Sequence, residues 1–257
     1  MLALLRSLAS LASLPSLRLF TPAPLAPAQC VVLSEAQRHY VASVMRLRVG
    51  ARLALFNGSD GEWEAELTAL GRRTAELAVR SRLREQPPRV PAPTLLFGVL
   101  KGARLPSLVE KSVELGVGKL VPVVTDNCHA RAVNEARLQN IATEAAEQCG
   151  RMDVPRIDAA VSLSQALEAW DRSRPLFACD TRPGAKPLSC VASDAQAGGL
   201  LVGPEGGLSP EDWRILDEYR FVQPVTLSQN TLRAETAAMA ALAIIGNAKA
   251  RQSQAGG

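Results

Sequence analysis

The chain has 257 residues, enough for one large domain or two of ordinary size. Its 47% apolar and 21% charged residues are those of a globular protein, and no apolar run approaches the roughly 20 residues that span a bilayer, so no membrane partner is expected. The net charge of +4 is uneven: residues 1–90 carry 12 arginines against 7 carboxylates, whereas the remainder carries 17 basic and 18 acidic groups, so the N-terminal third either meets a polyanion or carries an Arg-rich solvated surface.

Residues 1–16, "MLALLRSLASLASLPS", are rich in Leu, Ser and Ala and contain no acid. They read as an extension, either non-native or a targeting segment of mitochondrial type, and stand apart from the fold. From residue 17 to 84 the pattern is β-like with one helix. Ser34 and Gln37 form a capping-box pair ahead of "SEAQRHYVASVMRL", in which Val41, Val44 and Met45 make an apolar face at helical spacing. Leu53, Leu55 and Phe56 are strand material. Asn57-Gly58 and Asp60-Gly61 are turn signals, and alternation resumes through Trp63, Ala65 and Leu67, with "TAELAV" as a further strand. Short strands with tight turns make a small barrel or sandwich. Four prolines in "REQPPRVPAP" mark residues 85–93 as a stiff linker.

Beyond the linker, residues 94–250 alternate strand and helix. "TLLFGVL", "LVPVVT", "PLFACD", "GGLLVG" and "FVQPVTL" read as strands, and "LPSLVEKSVELG", "NEARLQNIATEAAEQC", "SLSQALEAW" and "SPEDWRILDEY" as helices, with a long helix in "TLRAETAAMAALAIIGNAKA". Ser209 as N-cap, Pro210 at the first helical position and Asp212 make a strong helix start. The alternation predicts an α/β domain with a mostly parallel sheet.

Five cysteines without C-x-x-C spacing argue for a reducing compartment, hence a cytoplasmic protein, unless residues 1–16 are a presequence. The Cys128-His129 pair has no other ligands near it in sequence, so no metal is expected. The chemistry-bearing stretch is "LLVGPEGGLSP", residues 200–210, a glycine-rich turn between strand and helix. Gly203, Gly206 and Gly207 let a ligand approach the backbone. The stretch lacks both G-x-G-x-x-G and G-K-[ST], and Glu205 would repel a pyrophosphate. S-adenosylmethionine, with its cationic sulfonium, suits such a loop; a structural turn is the other reading. Arg233 and Glu235 open a helix whose body is nearly all Ala, Leu, Met and Ile, so each needs a partner or a substrate unless solvent takes them.

Together, "VGPEGGLSPEDW", "LRAETA", "KGARLPSLVEKSVELGV", "ATEAAEQCGR" and "HYVASVMRLRVGARLALFNGSDG" resemble the bacterial 16S rRNA uridine N3-methyltransferases of the SPOUT superfamily, in the family's order from residue 17 onward. The resemblance implies an N-terminal PUA-like RNA-binding β-barrel and a C-terminal α/β methyltransferase domain with a trefoil knot. It also implies a homodimer acting on 16S rRNA in the 30S subunit; "AAMAALAIIG" is expected to form part of the dimer contact, because so apolar a surface should be covered. S-adenosylmethionine would be held by Leu201, Gly203, Pro204, Gly206, Gly207, Leu227, Ser228 and Leu232. Arg233 would stabilise negative charge on the uracil oxygens, with Glu205 or Glu235 as proton acceptor or its orienter. Arg38, Arg46, Arg48 and Arg52 are the candidate phosphate contacts. Ser228 stands where the family has glycine, Asn230 where it has arginine and Leu208 where phenylalanine is common. Ribose 2′-O-methylation and a non-catalytic RNA-binding role are the competing functions.

Overall fold

The computed structural model describes residues 17–182, 184–192 and 198–255, with the side chains of 249–255 excepted. The extension expected over residues 1–16 lies outside them. The chain forms two compact units, one of Met1–Arg89 with Ala146–Val154, the other of Val90–Ala145 with Pro155–Gly257.

In the first unit the elements are β1 (Arg18–Phe20), β2 (Cys30–Val32), α1 (Glu35–His39), β3 (Arg52–Phe56), β4 (Glu62–Leu70) and β5 (Ala75–Arg84). They build a five-stranded sheet in the order β1-β3-β4-β5-β2, antiparallel except where β1 runs beside β3. Alternate residues of β3 to β5, among them Leu53, Leu55, Leu67, Leu77 and Val79, share one core with Leu17, Leu19 and Val41. Gly61 is obligatory at the β3–β4 turn: its φ is +87°, and a Cβ there would overlap the Arg84 carbonyl.

The Ser34–Gln37 capping box forms as expected, with the Ser34 hydroxyl accepting from the Gln37 amide at 3.2 Å. The helix then widens into a π turn over Tyr40–Val44. That turn corrects the expected apolar face, because the wider spacing rotates later residues away from the core. Val41 is buried, whereas Val44 is 59% and Met45 38% exposed.

A buried charge sits at the start of the sheet's central strand, β4. The Glu62 side chain is 2% exposed and is clamped between Arg18 and Arg84. Arg18 also donates to the carbonyls of Ala146, Glu147 and Arg151, binding the Ala146–Val154 segment to its own unit. Burial raises the Glu62 carboxyl, but the two guanidinium groups outweigh it and hold the group below its ordinary range.

The second unit contains β6 (Thr94–Gly98), α2 (Arg104–Glu114), β7 (Lys119–Val124) and α3 (Glu135–Cys149, whose last turn belongs to the first unit). Then follow β8 (Arg156–Ile157), β9 (Val161–Ser162), α4 (Leu163–Glu168), β10 (Leu176–Cys179), β11 (Lys186–Pro187) and α5 (Leu188–Val191). The chain continues through β12 (Gly199–Val202), α6 (Pro210–Asp217), β13 (Val222–Thr226) and α7 (Ala234–Ala255). The sheet is parallel throughout, in the order β11-β13-β10-β12-β6-β7-β8, with β9 beside β7. The α/β reading of the alternation therefore holds. Its central strands read as continuous apolar runs because both faces are covered: Leu96, Leu176 and Leu201 pack with Leu167, Trp213 and Leu216. No described helix is long and apolar enough to cross a membrane.

Candidate active site

Loops that follow β10, β12 and β13 converge at the C-terminal edge of the parallel sheet, the edge at which ligands bind in open α/β folds. They enclose a cavity of about 750 Å3. Its walls are Asp180–Arg182 after β10, Gly203–Leu208 after β12, and Leu227–Arg233 after β13, with Trp213 and Arg214 of α6.

The glycine loop is built by absences of side chains. A Cβ on Gly98, at the end of β6, would overlap the backbone nitrogen of Pro204, so that glycine admits the loop to the sheet. Gly207 has φ +71° and open space where a Cβ would stand. Asn127 secures the turn from outside: its Nδ2 donates to the Gly206 and Gly207 carbonyls at 3.0 and 3.1 Å. The capping box expected at α6 forms, Ser209 Oγ accepting from the Asp212 amide at 3.0 Å. Ser228, in place of the family's glycine, stabilises its own loop by accepting from the Asn230 amide at 3.1 Å.

Of the residues expected to hold a cofactor, Gly203, Pro204, Gly206, Gly207, Leu227, Ser228 and Leu232 all line the cavity. Leu201 does not. It sits inside β12, fully buried, paired with Leu96 and Ala178 on either side. Among the three expected catalytic residues, Arg233 and Glu205 line the cavity, whereas Glu235 is absent from its wall. Glu235 occupies the first turn of α7, and its Oε2 is buried without a hydrogen-bond partner.

The two wall residues differ in electrostatic condition. Arg233 is exposed and has no ion-pair partner among the described residues, so its guanidinium is available to a ligand. Glu205 is engaged: its carboxylate accepts from the Lys101 amide at 3.0 Å and lies 3.5 Å from Arg104. Partial burial raises this carboxyl, but the backbone amides of Lys101 and of Glu205 itself, with Arg104 and His129, outweigh that and hold it below its ordinary range. It is ionised at neutral pH and a weak base.

Sequence reasoning missed a second charged part of the wall. Asp180 is almost fully buried and pairs with Arg182 at 2.7 Å, while the Arg182 guanidinium lies 3.8 Å from the centroid of the Trp213 ring. The one available signal was its position as the last residue of the "PLFACD" run. Cys179 also lines the cavity, but burial pushes its thiol up to about 12, so it is not a nucleophile there.

The candidate phosphate contacts lie in the first unit. Arg46 and Arg48 are exposed without ion-pair partners among the described residues, and Arg46 adopts φ +53°. Arg52 is exposed but lies 3.3 Å from Glu64. Arg38 is half-buried, with Nε enclosed and unpartnered.

Comparison with known proteins agrees with this geometry. Residues 87–246 match the RNA methyltransferase domain family, and residues 33–80 match the RNA methyltransferase PUA domain. The chain is 31% identical over 207 residues to the ribosomal RNA small subunit methyltransferase E of Rickettsia conorii, covering 80% of this chain and 84% of the relative. It is 32% identical over 222 residues to the protein of the same name from a Synechocystis species, covering 84% and 72%. Among solved structures, ribosomal RNA small subunit methyltransferase E of Neisseria gonorrhoeae, bound to S-adenosyl methionine, superposes with a TM-score of 0.80 at 30% identity, covering 90% of this chain and 97% of the other. A putative methyltransferase from Legionella pneumophila with bound cofactor SAM gives 0.82 at 28% identity, covering 91% and 98%.

Proposed function

The chain belongs to the RNA methyltransferase family, and from that premise we propose that it transfers the methyl group of S-adenosylmethionine to N3 of a uridine in the 16S rRNA of the small ribosomal subunit. Relatives named for small-subunit rRNA methylation and structural neighbours bound to the cofactor support the substrate and the methyl donor. The observation that carries the reading is the cavity itself, which joins a glycine loop open to the backbone with one unpaired guanidinium.

The residues fit S-adenosylmethionine. Gly203, Pro204, Gly206 and Gly207 offer backbone on one side, and Leu227, Ser228 and Leu232 on the other, in a cavity of the size that small-molecule sites occupy. When bound, the cofactor supplies a methyl group activated on a sulfonium. Uracil N3 lies on the Watson–Crick edge, so the base must be unpaired to enter. Arg233 stabilises negative charge on the uracil oxygens and so favours the N3-deprotonated base. Glu205, ionised and held by the Lys101 amide, orients Arg104 rather than accepting the N3 proton, which leaves to water. Glu235 stands outside the wall, in the first turn of α7, with its Oε2 buried and unpartnered.

In this reading residues 17–84 form the RNA-binding domain, 85–93 the linker and 94–250 the catalytic domain, in a cytoplasmic homodimer. Ala238, Ala241, Leu242 and Ile245 of α7 are already buried within one chain, so the dimer contact falls to the half-buried Met239, Ala240 and Ile244. Sedimentation at micromolar concentration tests this: a monomer contradicts it. Incubating the protein with labelled S-adenosylmethionine and 30S subunits tests the activity. Label in 16S rRNA is expected, and its absence from both 30S subunits and naked 16S rRNA would overturn the assignment.

A further inference from the structure

A second pocket, of about 450 Å3, opens beside the cofactor cavity and is lined by Lys101, Gly102, Ala103, Arg104, His129 and Glu205. Arg104 and Glu205 line both spaces, so their ion pair forms the shared wall. That wall is anchored, because Glu205 is fixed by the Lys101 backbone amide at 3.0 Å. The Lys101 and His129 side chains are exposed; Lys101 has no carboxylate partner among the described residues, and His129 acts electrostatically on the Glu205 carboxylate. The pocket's single carboxylate is already committed to Arg104 and a backbone amide, which leaves the Lys101 ammonium as free positive charge. The glycine loop and the Leu227–Arg233 segment already surround the methyl donor's space, so this pocket is surplus to holding that donor.

We propose that this pocket is the subsite for the phosphodiester of the nucleotide being methylated. Lys101 and His129 take the phosphate of a single-stranded RNA segment, and Arg104, held by Glu205, stands between that phosphate and the methyl-transfer cavity. The inference rests on the methyltransferase reading and deepens it. A compact ammonium on a flexible stem binds phosphate without reading the base, which suits a contact that positions rather than specifies.

The test uses the full chain with labelled S-adenosylmethionine and 30S subunits across a salt series, comparing wild type with Lys101→Ala, His129→Ala, the double variant and Lys101→Arg. Lys101→Ala keeps the backbone amide that holds Glu205. Its loss is expected in KM for the RNA, several-fold, rather than in kcat, with the cofactor Kd and the melting temperature unchanged. The dependence of log(kcat/KM) on log salt should flatten by about 0.7 for each phosphate contact removed, and Lys101→Arg should restore it. A double variant with wild-type KM and salt slope overturns the proposal while leaving the methyltransferase reading intact. If wild type transfers no methyl group, that reading fails. Filter binding of 16S rRNA at the same salts then decides the pocket, where an unchanged Kd and slope for the double variant overturn it.

Discussion

The Glu205 carboxylate accepts a hydrogen bond from the Lys101 amide at 3.0 Å, tying the loop after β12 to the segment that leads into α2. Its carboxyl is held below its ordinary value of 4.5, so the group is protonated only under more acidic conditions than a free glutamate. The stabilisation it supplies is present above pH 4.5 and is lost as pH falls through the lower, folded-state value. The rate profile should therefore show no acidic limb from Glu205 above about pH 4.5. Glu205→Gln, which can still accept from the amide, should retain most activity, whereas Glu205→Ala should lose more. A kcat/KM profile with a carboxylate limb between pH 5 and 7 that vanishes in Glu205→Gln would make Glu205 the base instead.

The Glu62 cluster sets a stability expectation for the first unit. Removing one partner of a buried ion pair strands the other, at about 3–5 kcal/mol. Arg18→Ala leaves Glu62 paired with Arg84 and should destabilise the protein by less than that in denaturant unfolding, whereas Arg18→Ala/Arg84→Ala should cost that order. Because the Glu62 carboxyl is also depressed, its contribution is complete above pH 4.5 and fades below it. Wild type should lose melting temperature as pH falls below 4.5 more steeply than Glu62→Gln.

Asn127 makes a prediction about the glycine loop that is separable from folding. Its two hydrogen bonds lie on the exposed side of the loop, at about 0.5–1.5 kcal/mol each. Asn127→Ala should weaken cofactor binding by up to about tenfold in calorimetry. Gly203→Val is a less clean probe, because a Cβ there already lies 3.1 Å from Leu208 and would displace the loop.

Arg46 and Arg48, exposed and unpaired, should act as phosphate contacts of the first unit. Replacing both with Ala should lower RNA affinity and flatten its salt dependence while leaving cofactor affinity unchanged. Arg52→Ala should matter less, because Glu64 already shares its charge. Unchanged RNA binding in Arg46→Ala/Arg48→Ala would make the N-terminal arginines a solvated surface.

Much of this was legible in the sequence because it is local. The capping boxes at Ser34 and Ser209 and the turn glycines each depend on residues within a few positions. The glycine loop stood out for the same reason. What escaped depends on distant partners. Gly98 looks like any strand residue until Pro204 arrives against it. Glu62 reads as one more acid on an alternating strand until Arg18 and Arg84 close on it. Strands as short as Arg18–Phe20 and Arg156–Ile157 carry no periodicity of their own and exist because a neighbouring strand pairs with them. The π turn at Tyr40–Val44 changes which side chains face the core without changing the sequence pattern. Asp180 and Arg182 join the site only because parallel strands bring their ends to one edge.

The central claim, N3 methylation supported by the unpaired Arg233 guanidinium, is tested most directly by digesting 16S rRNA to nucleosides after single-turnover reaction of 30S subunits with wild type and with Arg233→Ala. The account predicts 3-methyluridine from wild type. It predicts the same product from Arg233→Ala at a rate lower by roughly two to three orders of magnitude, the scale for losing one charge-stabilising group, with cofactor binding retained. A ribose-methylated nucleoside, or a variant as fast as wild type, would contradict it.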